Sequence, residues 1–239
     1  MKRLLTLIGL VAIVATAGAK TTPEDNSDDR TVCYQLEKAV RRIISIPDIE
    51  GYKTLKCDFH MHTVFADAQV TPTGRVREAW QDGLDVIAMS EHIAVHKSPG
   101  IKLKDYNIPI KHALKEAAKW GFLVVPAVEI TRTKPFGHMN ALFIKDPNVF
   151  EETRYQVDEN GKLLRDKNGN RIPTPTEMDD FRKAEAQGCF MLWNHPGWPD
   201  RKATLYPLQK QLIKEGRIHA VELFNGSEWY PRVLDWFDE

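Results

Sequence analysis

Between residues 55 and 224, six short apolar runs alternate with longer stretches whose apolar residues recur at helical spacing. This rhythm confines the chain to α/β architectures. The runs at 55–60, 85–90, 122–128, 139–144, 190–193 and 218–224 are strand candidates. Residues 74–82, 110–120, 176–187 and 205–215 are helix candidates, with Gly83, Gly121, Gly188 and Gly216 placed as stops. Strands that alternate with helices are expected to pair in parallel, as an open doubly wound sheet or a barrel. In both, ligands sit at the carboxyl ends of the strands.

At 239 residues the chain suits one large domain, expected over 51–239. The start differs from the rest. Lys2 and Arg3 precede an apolar run over 4–15, and Ala17-Gly18-Ala19 supplies small residues for cleavage. The pattern predicts a signal peptide over 1–19 and an exported protein, periplasmic or secreted, with no membrane association after cleavage. A membrane anchor is the alternative, but the run is shorter than the ~20 residues a spanning helix needs. Residues 20–50 are expected to hold a polar leader and an N-terminal helix.

Formal charge is zero, which argues against long nucleic acids as partners. Cys33, Cys57 and Cys189 are too few and too scattered for a disulfide framework, and are expected as small buried side chains. Residues 155–173 carry two Asn-Gly signals and read as a surface hairpin. A calcium loop starting at Asp166 is the sharper alternative, but Arg171 stands where such a loop needs Gly.

Candidate chemistry gathers at strand ends. On strict alternation Cys57, Phe59 and Met61 share one face of the first strand, and Asp58, His60 and His62 the other. Two imidazoles two residues apart can chelate one ion. Glu91 and His92 follow the second strand, Glu129 the third and His195 the fifth. His138 opens the fourth, and Asp67 lies in the loop after the first. Random placement would scatter such groups over the helices and both rims.

These motifs, Asp58-Phe59-His60-Met61-His62-Thr63 with Asp67, Met89-Ser90-Glu91-His92, Val128-Glu129-Ile130 and Asn194-His195-Pro196, resemble those of the PHP (polymerase and histidinol phosphatase) superfamily. Within it the chain looks most similar to exported bacterial phosphodiesterases. The resemblance implies a distorted TIM-like barrel of parallel strands and helices holding two or three divalent ions. His60, His62 and Glu129 would serve one ion, Asp67 and His92 a second, and Glu129, His138 and His195 a third, with Glu129 as the bridge. Glu91 departs from the family's usual Asp and is expected to orient His92. Imidazole and carboxylate donors suit zinc, manganese or iron. Such ions activate water and clamp the oxygens of an in-line phosphoryl displacement, so no protein nucleophile is needed.

The expected substrate is a small phosphoester, with Arg132 and Arg201 as candidates for its phosphate and Trp198 for its organic group. Two other readings stay open: an amidohydrolase-like amide or ester hydrolase, and a non-catalytic metal-binding protein. The family usually closes its site with a final strand bearing Asp-x-His. None follows His219, so the barrel is expected to be truncated before its last strand and the site to be incomplete.

Overall fold

The computed structural model describes residues 40–93, 103–132, 134, 136–150, 156–167, 169, 172, 177–198, 202–226 and 228–238. Among the described residues, six strands form one sheet in the order of the chain: β1 (Cys57–Met61), β2 (Val86–His92), β3 (Leu123–Thr131), β4 (His138–Leu142), β5 (Phe190–Trp193) and β6 (Ala220–Val221). Helices α1 (Pro72–Gln81), α2 (Asn107–Trp120), α3 (Glu177–Ala186) and α4 (Pro207–Lys214) pack outside it. A two-stranded hairpin, β7 (Phe224–Asn225) and β8 (Glu228–Trp229), follows. No helix among the described residues is long and apolar enough to cross a membrane.

Local chemistry explains the helix boundaries. Thr71 caps α1 by accepting from the Gly74 amide at 3.1 Å, and Pro72 opens the first turn. The four glycines expected as stops all have positive φ, between +61° and +89°, which costs glycine little.

The pairing corrects one expectation. β4 runs antiparallel to both β3 and β5, while the other neighbouring pairs are parallel. The connection across 132–137 is too short to carry a crossover back to the start of a parallel strand. The sixth candidate also shrinks to Ala220–Val221, and the described part of the expected N-terminal helix, residues 40–50, contains no helix. The signal peptide and polar leader lie outside the described residues. Of the surface excursion, an isolated antiparallel bridge joins Val157 and Leu163, and the Asp158 carboxylate accepts from the Asn160 and Lys162 amides. Asn168, Asn170 and Arg171 lie outside the described residues.

β2 is buried along its whole length. Its Ile87 and Met89 pack under α1 and α2 with Val76, Ile110 and Ala113. Val86 and Ala88 face the other way, onto Phe59, Val125, Ala127 and Leu142. A larger cluster joins β3, β4 and β5 to Phe181 of α3 and Leu212 of α4. The sheet curls into a half-barrel, and the Asn140 side chain of β4 donates to the Phe59 carbonyl of β1 at 2.7 Å. The inner face is apolar at one end. Toward the carboxyl ends of β1, β2 and β3 it becomes Ser90, Asn140 and Asn194, then histidines and carboxylates.

Candidate metal centre

Strict alternation fails in β1, and the failure lies at the site. The register with β2 shifts between Asp58 and Met61. Phe59 consequently packs inside the curl while Met61 joins Ile87 and Met89 outside it. Bulges of this kind re-aim side chains beside functional sites. Ser90 repairs the ladder: its hydroxyl accepts from the Met61 amide and donates to the Met61 carbonyl, both at 3.0 Å. His60 lies within this irregularity and His62 just beyond it, with their Nε2 atoms 3.1 Å apart.

The imidazoles surround Glu129, which is fully buried near the end of β3. One carboxylate oxygen lies 2.9 Å from His92 Nδ1, 3.1 Å from His62 Nε2 and 3.5 Å from His60 Nε2. The other lies 2.8 Å from His138 Nδ1 and 3.5 Å from His195 Nε2. Antiparallel β4 explains His138: the first residue of that strand pairs with Thr131 and so sits at the rim where β3 ends. Asp67, at the exposed mouth, approaches His92 Nε2 at 3.5 Å.

This donor set fits a cation. Imidazole nitrogens crowd the Glu129 oxygens at 2.8–3.5 Å, yet among the described residues neither oxygen, nor His62 Nδ1 nor His138 Nδ1, makes a hydrogen bond of good geometry, an expensive state for buried polar atoms that a shared ion relieves. Burial pushes the His62 and His138 imidazoles toward their neutral, ligating form, outweighing the attraction of Glu129. Burial disfavours the Glu129 carboxylate, yet the imidazoles hold it well below its ordinary range. Three triads have donor atoms within 4.8 Å of one another: His60, His62 and Glu129; His62, Asp67 and His92; His92, Glu129 and His138. The second gains His62 over the pair expected from sequence. In the third His92 stands where His195 was expected, although His195 also reaches Glu129.

Other candidates separate. The Arg132 guanidinium is buried, paired with Asp180 of α3 and bonded to the Thr131 carbonyl, so its charge is committed inside the fold. Arg201 lies outside the described residues. Trp198 is half exposed, with its ring 4.9 Å from His138 and 5.8 Å from His195. Glu91 does not orient His92. Adjacent strand residues face opposite ways, and Glu91 instead accepts from the Thr63 amide at 3.2 Å and the Thr63 hydroxyl at 2.5 Å, with burial pushing its carboxyl up to about 7. His92 Nδ1 meets the Thr131 hydroxyl at 2.6 Å.

Sequence reasoning missed Glu222. Its carboxylate lies 2.9 Å from His60 Nδ1 and accepts from the His195 amide at 2.6 Å. The signal was available, because Glu222 is the residue just past β6. A strand drawn through to 224 buried it in an element interior. Asn140, which accepts from the Asn194 side chain at 2.9 Å, was likewise passed over.

No family model and no curated protein matches the chain. Solved structures do. A two-domain protein from Bacteroides vulgatus, containing a predicted PHP-like metal-dependent phosphoesterase, shares 38% identity over 82% of this chain with a TM-score of 0.68. A Bifidobacterium adolescentis protein named as a metal-dependent phosphoesterase shares 16% identity over 77% of this chain and 83% of its own, with a TM-score of 0.53, a likeness of fold. In sequence and fold the chain is thus similar to a protein that contains a predicted PHP-like metal-dependent phosphoesterase. It spans 52% of the length of the Bacteroides relative.

Proposed function

We propose that this protein hydrolyses small phosphoesters, phosphodiesters foremost, with two or three divalent metal ions held by His60, His62, Asp67, His92, Glu129, His138 and His195. One observation carries the reading: five imidazoles from four strand ends converge on a single buried carboxylate whose oxygens lack hydrogen bonds of good geometry. Bound ions supply Lewis acidity toward phosphoryl oxygens and lower the pKa of water.

The chain's own groups do the rest. Glu129 faces both halves of the cluster, so one carboxylate can join donors from β1 and β2 to those from β4 and the loop after β5. Asp67 supplies negative charge at the mouth. Trp198 forms an apolar wall there, able to hold the organic part of an ester while its phosphorus faces the histidines. With Arg132 tied to Asp180, phosphate recognition falls to the ions and to Arg201. Zinc, manganese and iron all suit the donors. The basic, apolar and small-residue pattern of residues 1–19 supports export, and a small ester outside the cytoplasm accords with a net charge near zero.

The test is turnover of bis-p-nitrophenyl phosphate and p-nitrophenyl phosphate with added manganese or zinc, against p-nitrophenyl acetate. Faster diester cleavage abolished by chelation is the expected result. Cleavage of the acetate alone would favour an amidohydrolase-like ester or amide hydrolase. Metal uptake without turnover of any of the three would leave a metal-binding protein.

A further inference from the structure

We infer that Glu222 is a positioning residue: its one carboxylate clasps the two edge strands of the half-barrel together at the site, fixing the ring of His60 and the backbone turn of His195 at once. The inference rests on the metal-centre reading for its consequence but not for its geometry.

β1 and β6 are the first and last strands of the sheet, separated by four others. Nevertheless Glu222, immediately after β6, reaches His60 on β1 at 2.9 Å. This contact closes the curl where the ligand atoms gather. Each nitrogen of His60 has a separate task. Nδ1 faces Glu222, while Nε2 faces His62 Nε2 at 3.1 Å and Glu129 at 3.5 Å. An acceptor-only carboxylate requires a proton on Nδ1, so in the neutral, ligating imidazole the lone pair lies on Nε2.

The other oxygen of Glu222 accepts from the His195 amide at 2.6 Å. His195 has a φ of +23°, in a region that non-glycine residues seldom occupy. A charge-assisted hydrogen bond to its amide holds that conformation and aims the ring at Glu129. Asn225 completes the arrangement by donating to both Glu222 oxygens at 3.1 Å. Among the described residues both oxygens therefore face donors only. Glutamine, although isosteric, must turn its NH2 toward at least one of these donors, so Glu222→Gln breaks the clasp without emptying the space.

The experiment compares wild type, Glu222→Gln and Glu222→Ala by two measurements. In metal-free protein, hydrogen exchange of the His195 amide is followed by NMR. Slow exchange in wild type that speeds at least tenfold in Glu222→Ala supports the clasp, and equal exchange in both overturns it. In the same preparations zinc affinity is measured by chelator competition. A loss of roughly 10- to 100-fold in both variants, the range known for residues that orient metal-ligating histidines, is expected, and wild-type affinity in Glu222→Gln overturns the positioning of His60. Should Glu222→Ala fail to fold, Glu222→Gln carries both measurements. If wild type takes up no zinc or manganese, the proposed function fails, whereas the exchange measurement still decides the clasp.

Discussion

Glu116 and Glu129 are both buried carboxylates, only 2% and 0% exposed, and their surroundings are opposite. Glu116, on α2, accepts from Arg77 at 2.6 Å, Lys119 at 2.6 Å and the Trp120 indole at 2.8 Å. Its charge is matched and its oxygens are satisfied, so it ties α1 to α2. Glu129 is ringed by imidazole nitrogens and its oxygens lack hydrogen bonds of good geometry. Burial alone therefore says nothing about role. The distinction lies in whether the neighbours are permanent cations or groups that can offer lone pairs.

The sharpest way to break this comparison is to replace each acid by its amide. Glu129→Gln should lower the proposed phosphoesterase activity by roughly three orders of magnitude or more, with metal content falling alongside in elemental analysis. Metal-free, that variant should melt closer to wild type than Glu116→Gln does. Full metal occupancy in Glu129→Gln would remove its bridging role.

Glu116→Gln should do the reverse, keeping metal content and rate while losing about 2–3 kcal/mol of stability at neutral pH in urea unfolding. Burial pushes the Glu116 carboxyl up, but Arg77, Lys119 and Trp120 outweigh it and bring it down to about 2. A depressed folded value means that the contribution is fully present above the ordinary carboxylate range and disappears as pH falls toward 2. The stability gap between wild type and Glu116→Gln should thus close between about pH 4.5 and pH 2. A gap that persists at pH 2 would show that packing, not charge, ties the helices.

A smaller effect is expected at Gly197, beside the site rather than in it. A Cβ there would collide with the Tyr230 ring, and the Tyr230 hydroxyl is held by Glu228. Neither partner can yield cheaply. Gly197→Ala should cost about 1–3 kcal/mol and displace the adjacent Trp198. The expected readouts are a lower melting temperature and a higher KM for the aryl diester.

Much of the candidate site was legible because strand ends are marked by where apolar runs stop. His62, His92, Glu129 and His195 stand at such stops, and the strand-end rule for α/β sheets gathers them. His138 was legible only by resemblance, since periodicity cannot give strand direction. The short 132–137 connection held that information, because no crossover fits into it. The β1 irregularity was invisible, since a bulge is set by pairing across strands and leaves the local pattern of Cys57 to Met61 unchanged. Arg132 was misjudged for a related reason: its partner Asp180 lies 48 residues away, and no local signal announces a long-range ion pair. Glu222 was lost to a strand boundary, the least certain part of any periodicity argument.

The mildest prediction sharpens the contrast at the mouth of the site. Trp198 is 51% exposed, with its ring centroid 4.9 Å from that of His138. Unlike Glu129 it offers no ligand atom to an ion, so its proposed task is contact with the organic part of a substrate. Trp198→Ala should leave zinc affinity and stoichiometry unchanged. Losing a half-exposed aromatic contact is worth about 1 kcal/mol, which corresponds to a rise in KM of roughly fivefold for bis-p-nitrophenyl phosphate. kcat should change little, because an aromatic wall holds substrate and transition state alike. Esters with a methyl group in place of the aryl group should show a smaller difference between the two proteins. A fall in kcat with KM unchanged, or a loss of bound metal, would instead mean that Trp198 holds the rings of His138 and His195 in place, and the wall would belong to the metal centre.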